Sequence, residues 1–194
     1  VPGAFFAAGT LLSLPWVLAR AAGFDLPGVW LPYLAAGVGV LQSLWSREET
    51  RDIVVADSHT VPALARHAPS DARVQRPLRL VQITDPHLGP FMSVERLARI
   101  CQRAVDRSPD LVLLTGDFLT MESQADPRLL QQALAPLQQL PGRVFACLGN
   151  HDHEAPQVVR RALAENGITL LVDEATSLTT AAGPVQLVGM DFVW

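Results

Sequence analysis

The sequence contains no lysine, and all fifteen of its basic residues are arginine. These arginines are scattered among nineteen acidic residues and form no dense basic patch, which argues against a nucleic-acid partner. There are only two cysteines, Cys101 in a predicted helix and Cys147 in a predicted strand. Their positions fit neither a disulfide framework nor a zinc knuckle, so both are expected to be small buried hydrophobic residues.

Charge is also scarce at the start of the chain. Residues 1–45 contain Arg20 and Asp25 as their only charged side chains. The remainder has fourteen arginines and eighteen acidic residues, and it therefore carries the whole net charge of -4. The chain is predicted to consist of an apolar leader (1–45), a polar connector (46–77) and a mildly acidic soluble domain (78–194).

The leader contains two uncharged runs, residues 1–19 and 28–45. Each is close to the length that a helix needs to cross about 30 Å of hydrocarbon, so the leader is predicted to be a transmembrane helical hairpin. A cleaved signal peptide or a core helix is the alternative, although no basic segment precedes the first run. Arg47 and Arg51 follow the second run and favour the cytoplasmic side of the membrane for the soluble domain.

Short apolar runs alternate with amphipathic segments from residue 78 onward, which predicts an α/β domain built from strand-helix-strand repeats. Helices are expected to begin near Ser93 and Asp126, and a third is expected at 156–166. An edge strand at 53–56 and a hairpin of 177–180 with 185–190 are also predicted. The remaining strands are expected at 78–84, 111–115, 144–148 and 168–172.

Polar clusters follow three of these strands: Asp85-Pro86-His87, Gly116-Asp117 and Gly149-Asn150-His151-Asp152. Loops beyond the carboxyl ends of strands in an open α/β sheet converge on one crevice, so the clusters are expected to share one metal centre. Extended backbone would point Asp85 and His87 toward the same cation. The Asp117 carboxylate could bridge two cations, and Asn150 would supply a carbonyl oxygen to the second.

Mixed oxygen and nitrogen ligands suit Mn, Fe or Zn, so the expected cofactors are two divalent metal ions of this group. His151 is adjacent to a proposed ligand but is not needed as one. It is therefore predicted to be catalytic and to donate a proton to the departing oxygen, with Asp152 holding its tautomer.

In order and spacing, the three clusters resemble those of the calcineurin-like metallophosphoesterase family, over residues 78–194. The apolar leader followed by Thr84-Asp85-Pro86-His87-Leu88-Gly89 is similar to a membrane-associated branch that includes enzymes acting on lipid-linked diphosphates. The resemblance implies that Asp85 and His87 hold one ion, Asp117 bridges, Asn150 binds the other and His151 assists catalysis. It also implies in-line attack on phosphorus by a metal-bridging hydroxide.

The family pattern continues with a further histidine and a Gly-His-x-His element that complete the metal shells, but no histidine follows His153 here. Because the sequence also begins with valine, we expect a fragment of a metallophosphoesterase-type α/β sandwich, preceded by the transmembrane hairpin. On its own, this fragment is expected to bind metal weakly and to turn over little substrate.

The predicted function is that of a membrane-anchored phosphoesterase acting on a phosphomonoester, a phosphodiester or a diphosphate. A lipid-linked diphosphate is one candidate substrate, because the leader would keep the enzyme at the membrane. The alternative is a non-catalytic membrane protein that retains the fold as an interaction surface.

Overall fold

The computed structural model of the chain describes residues 2–43, 48–53 and 77–191. The chain divides into two compact units, residues 1–52 and 53–194. Residues 54–76 lie outside the described residues, and with them most of the predicted connector and nearly all of the predicted edge strand at 53–56. The predicted domain boundaries therefore stay predictions.

The first unit contains three helices: α1 (Pro2–Leu12), α2 (Leu14–Ala21) and α3 (Leu31–Ser43). Pro15 lies in the first turn of α2, and its missing N–H interrupts the helical hydrogen bonds where α1 gives way to α2. Helix α1 packs against α3, with the rings of Phe5 and Tyr33 centred 6.5 Å apart. Gly9 permits this approach, since a Cβ there would lie 2.5 Å from the Tyr33 ring.

Among the described residues, no helix has both the length and the apolarity that crossing a membrane requires. The three helices have 11, 8 and 13 residues. The predicted transmembrane hairpin is therefore not confirmed.

The second unit is an α/β arrangement, as predicted. Its larger sheet has four parallel strands in the order β1-β2-β3-β4. Because each strand pairs with the next one along the chain, right-handed crossovers place the connecting helices on one face. The strands are β1 (Leu80–Thr84), β2 (Leu111–Thr115), β3 (Val144–Cys147) and β4 (Thr169–Leu170), and the helices are α4 (Val94–Asp106), α5 (Arg128–Leu134) and α6 (Pro156–Glu165).

The helix ends follow the signals in the sequence. The Ser93 hydroxyl accepts a hydrogen bond from the Arg96 amide and caps α4. The Asp126 carboxylate accepts one from the Arg128 amide at the start of α5. Helix α5 ends two residues before Pro136 and continues as a short 3₁₀ turn, Ala135–Gln139.

The sheet is covered on both faces. Side chains from alternate positions of the strands, such as Val112 and Leu114, pack against the helices together with Leu97. The opposite face carries Leu111 and other buried apolar residues, which are covered by Leu178, Val185 and Leu187 of a β-hairpin, β5 (Glu174–Thr180) and β6 (Gly183–Gly189). This hairpin confirms the predicted one, although both strands begin earlier than predicted and the second ends at Gly189 instead of Met190.

The two cysteines differ in burial. Cys101 is fully buried in α4, and burial raises the pKa of its thiol to about 12. Cys147, at the end of β3, is only partly buried, so the expectation of a buried residue holds fully for Cys101 alone.

Candidate metal centre

Three loops lie side by side where β1, β2 and β3 end. The loops after β1 and β2 are joined by backbone hydrogen bonds, in which the His87 amide donates to the Asp117 carbonyl (3.0 Å) and the Leu88 amide donates to the Phe118 carbonyl (2.8 Å). The loop after β3 joins them where the His151 amide donates to Asp117 Oδ1 at 3.0 Å. All three predicted clusters are thus brought to one edge of the sheet.

Asp85, His87 and Asp117 form a group that can hold a metal ion. Each offers one ligand atom, and these atoms all lie within 4.8 Å of one another. His87 Nε2 lies 3.6 Å from Asp117 Oδ2. Asp117 is only 8% exposed, and a buried carboxylate is costly unless a positive charge compensates it. Two carboxylates and an imidazole are ligands suited to a divalent transition metal, so these residues fit the expected ion.

The backbone at these three residues is left-handed, with φ of +47° at Asp85, +43° at His87 and +54° at Asp117. The predicted extended backbone at Asp85 and His87 is therefore not observed, and their side chains come together on left-handed backbone at both residues instead. Such conformations cost on the order of 1–3 kcal/mol each in residues other than glycine and persist where the surroundings impose them. At His87 and Asp117 the hydrogen bond from the His87 amide to the Asp117 carbonyl helps to impose them.

Two glycines let the loops after β2 and β3 touch. A Cβ on Gly116 would lie 2.3 Å from the Gly149 nitrogen, and a Cβ on Gly149 would lie 2.2 Å from Asp117 Oδ1. Gly116 also has a φ of +71°, in the region that glycine adopts without strain. Glycine at both positions is therefore a condition for the site.

Asn150 and His151 lie in the loop after β3. Asn150 is partly exposed and directly precedes a 3₁₀ turn, His151–Glu154, whose first amide binds Asp117. The rings of His87 and His151 meet edge to face, with centroids 5.4 Å apart. The structure thus places the predicted proton donor beside a predicted metal ligand. The role of Asn150 as a ligand stays a prediction.

Asp152 differs from its predicted role. Its side chain is fully buried, and Oδ2 accepts hydrogen bonds from the amides of Asp117 and Gly149 while Oδ1 accepts one from the amide of Phe118, all at 2.8 Å. Burial raises the pKa of the carboxyl group, and the three backbone donors oppose this shift. Because the backbone occupies both oxygens, the predicted contact with the His151 ring is replaced by these bonds.

The partner of His151 is Glu154, which the sequence analysis did not assign to the site. His151 Nδ1 lies 3.0 Å from Glu154 Oε1, and Glu154 Oε2 accepts a hydrogen bond from Gln124. An ionised carboxylate can only accept, so Nδ1 carries the proton and Nε2 is left to serve a substrate. The hydrogen bond to Glu154 raises the pKa of His151. The His-x-x-Glu spacing, which places the two residues on one side of a helical turn, was the available signal.

Residues 78–183, more than half of the chain, match the family model for calcineurin-like phosphoesterases. The chain belongs to this family. This match confirms the predicted family. Its members hydrolyse phosphoester bonds and normally bind divalent metals.

The chain is also similar to individual proteins. The chain is 28% identical over 122 residues to phosphodiesterase YaeI of Escherichia coli, a match that covers 61% of this chain and 45% of that protein. It is 38% identical over 76 residues to the UDP-2,3-diacylglucosamine pyrophosphatase LpxG of Chlamydia trachomatis, a match that covers 39% of this chain and 23% of that protein. It is 36% identical over 83 residues to a transmembrane protein with metallophosphoesterase domain of Danio rerio, a match that covers 42% of this chain and 18% of that protein. The chain therefore spans less than half of the length of these relatives.

Proposed function

We propose that this protein is a membrane-attached, metal-dependent phosphoesterase. The observation that carries the proposal is the convergence of Asp85, His87 and Asp117, whose ligand atoms lie within 4.8 Å of one another at the end of a parallel sheet. The substrate class is a phosphomonoester, a phosphodiester or a diphosphate. The relatives named as a phosphodiesterase and a UDP-2,3-diacylglucosamine pyrophosphatase support the last two.

Two divalent cations are proposed as cofactors. Asp85 and His87 would hold the first, Asp117 would contact both, and Asn150 would hold the second through its carbonyl oxygen. When bound, such ions supply positive charge to the phosphoryl oxygens and lower the pKa of a water nucleophile. The identity of the ions is left to the assay, in which Mn, Fe and Zn are compared.

The chain's own acid is proposed to be His151. Its Nδ1 is engaged by Glu154 at 3.0 Å, so Nε2 is the nitrogen that can give a proton to the departing oxygen. Its imidazole is exposed and therefore accessible to a substrate. Its raised pKa increases the fraction in the protonated form that an acid requires.

Attachment to a membrane is proposed from the first unit. In this unit Phe6, Leu11 and Phe24 are 67%, 74% and 69% exposed. Exposed apolar surface of this extent is typical of a face that meets lipid or another protein. Because lipid would bring an enzyme to substrates that reside in the bilayer, a lipid-linked diphosphate is the favoured substrate.

Hydrolysis tests the catalytic proposal. The full-length gene product is assayed with manganese and an aryl phosphodiester, beside the variants Asp117→Asn and Asp110→Asn. We expect Asp117→Asn to lower the rate by more than about a hundredfold, because it alters a direct ligand rather than an outer partner. Asp110 is a buried control at the opposite end of β2, where it accepts a hydrogen bond from the Arg79 amide, and its variant should keep the rate. Equal rates for all three proteins would refute the proposal and favour the non-catalytic interaction role.

Sedimentation with phosphatidylcholine vesicles tests the attachment. The protein is expected to sediment with the vesicles, and the double variant Phe6→Asp with Leu11→Asp should remain in the supernatant. Val188→Asp is the matched control, because Val188 is 66% exposed on the hairpin of the second unit. Equal binding to vesicles by the double variant and the unsubstituted protein would contradict the assignment of this surface.

A further inference from the structure

Asp152 ties together two loops that carry proposed metal ligands. It is fully buried, and it accepts hydrogen bonds from three backbone amides of the described residues, each at 2.8 Å. One donor, Gly149, belongs to its own loop after β3. The other two, Asp117 and Phe118, belong to the loop after β2. The carboxylate therefore spans the gap between neighbouring strands at the edge where the site forms.

The position of Asp117 depends on this span. Its backbone is left-handed, with φ of +54°, and its amide is held by Asp152 Oδ2. Its carbonyl oxygen in turn accepts a hydrogen bond from the His87 amide, and its Oδ1 accepts one from the His151 amide. A shift of the Asp117 amide would thus move a ligand carboxylate and the contacts to both flanking loops at once.

We propose that Asp152 is a positioning residue for the metal centre. Its two oxygens bind the successive amides of Asp117 and Phe118 and hold the Asp117 carboxylate against the loop that contains Asn150. Ligands from β2 and β3 are thereby kept within reach of shared cations. The inference rests on the proposed function, which supplies the metal site.

The chemistry of the side chain makes a graded test available. Asparagine at position 152 keeps the shape and one oxygen, but its NH₂ group would face an amide that needs an acceptor. Alanine removes every acceptor and leaves two buried N–H groups and a partly buried one without their partner. The proposal therefore predicts that metal affinity falls in the order Asp, Asn, Ala.

Affinity for Mn²⁺ is measured by calorimetric titration of the full-length gene product, beside thermal denaturation of each variant without metal. Asp152→Asn is expected to weaken Mn²⁺ binding by about tenfold or more, the range found when outer partners of metal ligands are removed. Asp110→Asn is the matched control, since Asp110 is also buried and also accepts a backbone hydrogen bond, far from the loops. It should lose thermal stability without losing affinity.

The outcomes separate this inference from the proposed function. If the unsubstituted protein binds Mn²⁺ and Asp152→Asn binds it equally well, the positioning role is refuted while the phosphoesterase proposal stands. The same conclusion follows if both Asp variants weaken binding in proportion to their loss of stability, because Asp152 would then be merely structural. An unsubstituted protein that binds no Mn²⁺ would refute the metal site and the inference together. Asp152→Ala is measured only if it folds, and Asp152→Asn decides the question otherwise.

Discussion

Replacing Gly116 by alanine should damage the site far more than its effect on the backbone alone would suggest. Two glycines of the second unit adopt similar left-handed conformations, Gly116 with φ of +71° and Gly167 with φ of +67°. Around Gly167 an added Cβ would meet no atom within 4 Å, whereas on Gly116 it would lie 2.3 Å from the Gly149 nitrogen. The pair therefore separates the cost of the conformation from the cost of the contact.

The magnitudes follow from these distances. Left-handed backbone costs an alanine roughly 1–2 kcal/mol, and both variants carry this cost. In Gly116→Ala the contact is with backbone, so no rotamer change relieves it, and overpacking of this kind adds roughly 1–3 kcal/mol. Ordinary carbon contacts lie at about 3.5–4.0 Å, so the two loops must separate by about 1 Å. A displacement of about 1 Å at a catalytic centre can lower the rate by about a hundredfold.

Thermal denaturation and manganese-dependent hydrolysis measure the two effects. Gly167→Ala should lower Tm by about 4 °C and leave kcat unchanged, since Gly167 follows α6 and its added Cβ would meet no atom within 4 Å. Gly116→Ala should lower Tm by more and reduce kcat by about a hundredfold. Equal losses of Tm in the two variants, with full activity in both, would show that the loops do not need their close approach.

Three further outcomes are expected. Glu154→Gln should slow hydrolysis of an alkyl phosphodiester much more than that of a p-nitrophenyl ester, because only the alkoxide, a poor leaving group, needs the proton of His151. An equal loss of rate with both substrates would contradict the role of His151 as the acid. Leu97→Ala removes a fully buried side chain of α4 and should lower the free energy of unfolding by about 3 kcal/mol in urea titrations, whereas Leu80→Ala, at a 44% exposed position, should cost clearly less. Cys101 is buried and has a thiol pKa of about 12, so it should react with a thiol reagent only as the protein unfolds. Rapid labelling of the native protein would show that this face of α4 is accessible to solvent.

Much of the fold could be predicted because local signals and the overall architecture agree. The strand at Leu111–Thr115 was predicted at its observed bounds, since a short apolar run between turn residues is typical of a buried parallel strand. Ser93 was predicted at the start of α4 and caps it. The observed strand β4 is shorter than the predicted 168–172, because only Thr169 and Leu170 pair with β3. Pairing at a sheet edge depends on the neighbouring strand, which the pattern of a single segment does not describe.

The convergence of the site was also predictable, but its internal contacts were not. Neighbouring parallel strands bring their following loops together whatever the details of the loops, so Asp85, His87 and Asp117 could be grouped from the sequence. Which carboxylate serves His151 depends on burial. Asp152 is adjacent in sequence but turns into the interior and binds amides, while Glu154 remains at the surface beside the imidazole. Adjacency along the chain is a poor guide to contacts within a turn.

The order of the sheet gives a physical reason why Asp117 suits the proposed bridging role. Because β2 pairs with β1 on one side and β3 on the other, the loop after β2 is the one of the three described site loops that has a site loop on both flanks. Asp117 uses this position, since its carbonyl accepts the His87 amide from one neighbour and its Oδ1 accepts the His151 amide from the other. A ligand on either outer loop would have to reach across the middle one to contact both cations. Two cations shared among these loops would therefore be bridged from the middle strand, and exchanging Asp117 for asparagine should weaken both metal sites together, whereas His87→Ala should weaken one.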